Sequence, residues 1–146
     1  NTPFNCDLIL KDGKVYLIEI NGRAGATGLS DMVGIYYDLN YYEILCRQAM
    51  GETTASAFQL KNSKGQPSVS RMLTAPKTGI LEKIELPEEA EDPDISITLN
   101  VQPSDPVRTY QNGRDLLGLV IVKGDSVEVC KEKTNRILSG IQYEIR

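Results

Sequence analysis

Glu19, Asn21 and Arg23 alternate along "LIEINGRAG", so an extended chain carries all three to one face, directly ahead of a glycine-rich loop at residues 22–28. Twelve positions before Glu19 stands Asp7, inside a second apolar run. Where two carboxylates and an amide converge on one face of an apolar ribbon, the two like charges repel each other, and a divalent cation is the usual remedy. The set is all oxygen and the chain has no histidine, which suits Mg2+ or Mn2+ and not zinc. Without histidine, Ser–His and Cys–His catalysis are excluded as well. Arg23 carries a planar, permanent charge shaped for two-point contact with a carboxylate or phosphate. Backbone N–H groups of the loop, near a helix start, attract anions too. Spacing alone leaves two readings open: a phosphate–metal site, or a plain hairpin with an acidic surface edge.

The elements that must position these residues are legible in outline. Two apolar, β-branched-rich runs around Asp12-Gly13 predict a hairpin. A two-residue turn would pair Asp7 with Ile18 and set Asp7 and Glu19 on opposite faces. A three-residue loop, Lys11-Asp12-Gly13 with Gly13 left-handed and a bulge, pairs Asp7 with Leu17 and brings Asp7, Glu19 and Asn21 to one side. The three-residue loop is the expectation. Ser30 is placed to cap a short helix reaching about Tyr37. Asn40, with Glu43 three residues on, caps a second helix that ends at Gly51. Residues 52–68 are polar and pattern-poor, and read as a loop or linker.

The second half reads as a separate small unit. Strands are expected at 69–73, 79–86, 95–101 and 117–123, then a helix from a capping box at Asp125 and Glu128 to about Ile141, and a final strand at 142–146. Val127, Cys130, Thr134, Ile137 and Ile141 form its apolar face. The fold class is α+β, in two regions, 1–60 and 61–146.

Composition narrows the function. A net charge of −4 and a pI near 4.9 argue against a nucleic-acid surface. No apolar run approaches membrane-spanning length and no signal peptide is evident. Cys6, Cys46 and Cys130 are scattered and read as reduced, mostly buried thiols of a cytoplasmic protein. The tyrosines 36, 37, 41 and 42 read as helix packing, Lys123, Lys131 and Lys133 as a solvated face, and "PEEAEDPD" as an acidic surface loop. The chain opens "NTPFNCDLIL" with no initiator Met, and a fragment is the expectation.

The stretch "D-LILKDGKVYLIEINGRAG" resembles the metal-binding hairpin of the ATP-grasp superfamily of carboxylate–amine ligases, with its E-x-N-x-R signature and the acidic residue twelve positions earlier as Asp7. "GLSDMVGIYYDLNYYEILCRQAMG" resembles the helical segment that follows there. "PKTGILEKIEL…NGRDLLGLVIVKGDSVEVCKEKTNRIL" is similar, more loosely, to the C-terminal subdomain of the branch holding amino-acid ligases and biotin-carboxylase-like proteins. The resemblance implies that Asp7, Glu19 and Asn21 bind Mg2+ or Mn2+ bridging the phosphates of ATP, and that Arg23 contacts an acyl phosphate or the substrate carboxylate. It implies a carboxylate attacking the γ-phosphate, then an amine or thiol displacing phosphate. The adenine grip would come from N-terminal lobes of the same enzyme, so this portion alone would be inactive. Gly22 stands where proline is common in the superfamily. Expected partners are small carboxylate and amine substrates, the missing lobes and a possible homodimer, with no nucleic acid or membrane. The competing expectations are a non-catalytic interaction module that kept the hairpin, and a fragment of a carbamoyl-phosphate-synthase-like or biotin-carboxylase-like enzyme.

Overall fold

The computed structural model describes residues 3–58 and 64–146. They form two compact units, Asn1–Gly65 and Gln66–Arg146. The boundary expected between residues 60 and 61 lies outside the described residues.

The first unit opens with β1 (Asn5–Lys11) and β2 (Lys14–Asn21), an antiparallel pair forming its own two-stranded sheet. The expected three-residue loop is not formed. Lys11 pairs with Lys14 across a two-residue turn in which Asp12 (φ 51°) and Gly13 (φ 71°) are both left-handed. That pattern matches strand twist, and Asp-Gly is well suited to it. The extra residue sits in β2 instead: Leu8 pairs with Leu17, the next pair is Asp7 with Glu19, and Ile18 is the bulge between them.

Two helices follow, α1 (Leu29–Tyr37) and α2 (Tyr41–Ala49). The N-cap of α1 is Gly28, in the left-handed region, and not the expected Ser30, which lies inside the first turn. Asn40 caps α2 as expected, its Oδ1 accepting from the Glu43 amide at 3.1 Å. At the far end the amides of Gly51 and Glu52 bond to the carbonyls of Gln48 and Arg47, closing α2. The tyrosines pack edge-on: Tyr36 on Tyr37, and Tyr37 and Tyr41 on Phe58. The Tyr42 hydroxyl donates to Asp31 at 3.0 Å; burial, then that carboxylate, pushes its pKa up. Cys46 is exposed and Cys6 half-buried, so of the three free thiols only Cys130 meets the expectation of burial.

The second unit holds almost all of the core. Its sheets are β3 (Ser68–Thr74), β7 (Leu116–Lys123) and β5 (Ile95–Leu99) in the order β3-β7-β5, and β6 (Pro106–Val107), β4 (Gly79–Glu85) and β8 (Gln142–Ile145) in the order β6-β4-β8. Every pairing is antiparallel. Helix α3 (Val127–Gly140) packs on β3 and β7. Its cap is Ser126, whose hydroxyl accepts from the Val129 amide, in place of the expected Asp125. Leu73, Leu81, Leu117, Val120, Val122, Cys130, Thr134 and Ile137 are fully buried. Val127, assigned to the apolar face by spacing, is exposed. The acidic stretch lies on the surface as expected, with Glu88, Glu89 and Glu91 exposed in a single 3-10 turn over residues 88–91, while Asp92 and Asp94 engage Lys133 at 2.8 and 3.7 Å. Lys133 therefore belongs to an ion-pair cluster with Lys123, 3.6 Å from Asp94, and not to a solvated face. Among the described residues, no helix is long and apolar enough to cross a membrane.

Candidate functional site

The bulge at Ile18 decides the chemistry of the hairpin. It turns Glu19 to stand directly opposite Asp7, and Asn21 directly opposite Asn5. Paired residues share a face, and residues two apart share it too. Asn5, Asp7, Glu19 and Asn21 therefore present two carboxylates and two amide oxygens on one side. The Asn5 Nδ2 group lies 3.5 Å from Asp7 Oδ1, in keeping with this arrangement. Asn5 was not singled out from sequence; its signal is its position two residues before Asp7 on the same strand face.

The opposite face is apolar. Leu8, Leu10, Val15, Leu17 and Ile20 lie there with 55–73% exposure. Large side chains left this accessible on a paired strand face mark a surface suited to further contacts.

Arg23 does not follow the expected alternation, because β2 ends at Asn21 and the chain bends at residues 22–23. Its side chain is exposed and donates from Nη1 to the Ala24 carbonyl at 3.0 Å. The loop reaches the hairpin at another residue. A Cβ added at Gly25 would stand 2.6 Å from Leu29 Cδ1 and 3.3 Å from Asn5 Oδ1, so only glycine passes between α1 and the strand. Thr27 is left-handed at φ 54°, unusual for a β-branched residue.

The donor set fits a hard divalent ion: it is all oxygen, with no soft ligand, and carries two negative charges. Among the described residues no group of three or more His, Cys, Asp or Glu side chains forms a metal cluster, so the two asparagines would have to complete any such site.

The second unit has a concavity of about 400 Å³ lined by Thr78, Gly79, Pro106, Val107, Arg108 and Gln111. Beside it the buried Asp115 carboxylate accepts from the amides of Gln111 and Asn112, both at 3.0 Å, and pairs with Arg108 Nε at 3.0 Å. This anchor shapes the wall of the groove.

Comparison with known proteins gives these features a setting. The family model described as L-amino acid ligase C-terminal domain 2 matches residues 71–146, more than half of the chain. The chain is 34% identical to phosphoribosylglycinamide synthetase from Anaerococcus prevotii, with a TM-score of 0.87 over 98% of this chain and 37% of that one. It superposes on L-amino acid ligase from Bacillus licheniformis with a TM-score of 0.81 at 19% identity, covering 99% of this chain and 36% of that one. N5-carboxyaminoimidazole ribonucleotide synthetase from Thermotoga maritima gives 0.62 at 19% identity, covering 98% and 37%. At 19% the likeness is one of fold. A comparison with curated proteins finds no match. The mixed α+β architecture is that of the C-terminal part of ATP-grasp proteins. The chain belongs to the L-amino acid ligase C-terminal domain family, within the ATP-grasp carboxylate–amine ligases. It spans little more than a third of the length of these relatives.

Proposed function

We propose that this chain is the C-terminal portion of an ATP- and Mg2+-dependent ligase that activates a carboxylate as an acyl phosphate and joins it to an amine or thiol. The observation that carries this reading is the shared face of Asn5, Asp7, Glu19 and Asn21 across the bulged hairpin. Asp7, Glu19 and Asn21, with Asn5 beside them, would hold Mg2+ or Mn2+. When bound, the ion neutralises phosphate oxygens and draws charge from the phosphorus under attack. Asp7 and Glu19 supply the negative charge that retains it, while the amides add oxygens without adding repulsion. Arg23 serves as the anion contact for the substrate carboxylate or the acyl phosphate. Catalysis of this kind is mostly positioning and charge stabilisation, which needs no histidine.

Alone, residues 1–146 would be inactive in this reading, because adenine is gripped by other lobes of the enzyme. The exposed apolar face of the hairpin supports burial against such a lobe. In this reading the enzyme works in the cytoplasm, in keeping with three free thiols.

The same exposed face favours one other reading, a non-catalytic interaction module that keeps the hairpin. An assay of ADP release by the full-length protein across a panel of carboxylic acids separates the two. Release with at least one acid, abolished by Glu19→Gln with the fold intact, supports the ligase. Near-normal turnover in Glu19→Gln discards the metal assignment, and no release with any acid leaves the interaction module.

A further inference from the structure

We propose that Ser30 is a positioning residue: its buried hydroxyl pins the loop of residues 22–28 against the oxygen cradle of the hairpin and so sets where Arg23 stands. This rests on the ligase reading above. Ser30 is only 6% exposed, and its hydroxyl donates to the Gly25 carbonyl at 3.2 Å. It does not serve the helix. Gly28 is the N-cap of α1 and makes no side-chain bond, and Ser30 lies two residues further in. A buried hydroxyl is costly unless bonded, so the tie to Gly25 is the interaction that justifies its place.

The tie reaches the cradle in one step. Gly25 is wedged between Leu29 of α1 and Asn5 Oδ1 of β1, and Asn5 contacts Asp7 at 3.5 Å. The end of the loop is closed by Leu29 N–H to the Ala26 carbonyl at 3.2 Å, and α1 starts from it with Met32 N–H to the Gly28 carbonyl at 2.9 Å. Within this arc Thr27 is held left-handed, a conformation a β-branched residue adopts only when its surroundings enforce it. Arg23 lies two residues before Gly25, and its own side-chain bond runs to the neighbouring Ala24 carbonyl. Its location is therefore set by the loop backbone. Displacing a substrate contact by about 1 Å can cost about 100-fold in rate.

The test compares Ser30→Ala and Ser30→Thr in the full-length enzyme, with amide hydrogen exchange read by NMR. In Ser30→Ala the KM for the carboxylate substrate rises about tenfold while the KM for ATP stays within about twofold. Exchange at the Leu29 and Met32 amides speeds up about threefold to tenfold, with α3 unchanged. Ser30→Thr, which keeps the hydroxyl, restores both. Unchanged exchange at Leu29 and Met32 in Ser30→Ala overturns the proposal. So does faster exchange with no change in KM, or with an equal rise for both substrates, either of which marks a merely structural tie. If the parent enzyme releases no ADP with any carboxylic acid, the ligase reading fails instead. The exchange data then decide the tie alone: acceleration in Ser30→Ala but not in Ser30→Thr supports it, and any other pattern overturns it.

Discussion

Replacing Glu19 with glutamine tests the geometry of the cradle through stability. Asp7 and Glu19 are register partners, which sets their Cβ atoms about 5 Å apart. Two unit charges at that distance repel by about 0.8 kcal/mol in a water-like medium, and by more where protein lowers the dielectric. Both residues are exposed, so the lower figure applies. Glu19→Gln should therefore stabilise the first unit by close to 1 kcal/mol when no divalent ion is present. For a unit of this size that raises Tm by about 4–8 °C. The assay is a thermal scan of hairpin NMR signals in EDTA at low salt, repeated in 1 M NaCl. Screening over about 3 Å should remove most of the gain. If the hairpin holds the ion as proposed, added Mg2+ should raise the Tm of the parent chain and leave Glu19→Gln unmoved. A variant no more stable than its parent at low salt would mean that the two carboxylates do not face one another.

Lys133→Met should flatten both ends of the profile of Tm against pH. Hydrogen bonding to Lys133, then to the Asp94 amide, holds the Asp92 carboxyl below its usual range. Its contribution is present above the unfolded carboxyl value and is lost as pH falls through the lowered folded one. The Asp92 hydrogen bond pushes Lys133 up, so that contribution is present below the ordinary lysine value and lost as pH rises through the raised one. An unaltered profile in Lys133→Met would contradict the cluster. Asp115→Ala leaves two amides and Arg108 without their acceptor, and should cost about 2–3 kcal/mol in urea unfolding. A loss below about 0.5 kcal/mol would show that the carboxylate is dispensable. Calorimetry of residues 1–146 with Mg-ATP should show no submicromolar binding, and such binding would locate an adenine grip inside this chain.

Much of the architecture follows from patterns that the chain states openly. Five of the six second-unit strands lie within two residues of the runs of β-branched and apolar residues, because buried strands there are bounded by Pro, Gly and acidic turns; β6, only Pro106–Val107, is too short to carry any such pattern. Asn40 and Gly51 bracket α2 by chemistry that acts within a single turn. The hairpin was harder. Asp-Gly favours a two-residue turn, yet a separation of twelve residues between Asp7 and Glu19 requires one bulge for them to share a face. Parity demands the bulge but does not say where it falls. It sits at Ile18, among equally apolar neighbours, where nothing local marks it. Arg23 and Ser30 escape the local rules for a related reason. Strand alternation stops at Asn21, before it reaches Arg23, and Ser30 stands inside the first turn of α1 and not at its cap, because both residues answer to a loop wedged between two elements. Cys46 and Val127 show that helical spacing selects a face without saying how completely that face is covered.

Paramagnetic broadening by Mn2+ measures the central claim at the residues concerned. Titrated into residues 1–146, the ion should first broaden the amide signals of Asn5, Asp7, Glu19 and Asn21, and Glu19→Gln should abolish that selectivity. Broadening that begins at the acidic residues 88–94, or spreads evenly over both units, would contradict a divalent-ion cradle on the hairpin.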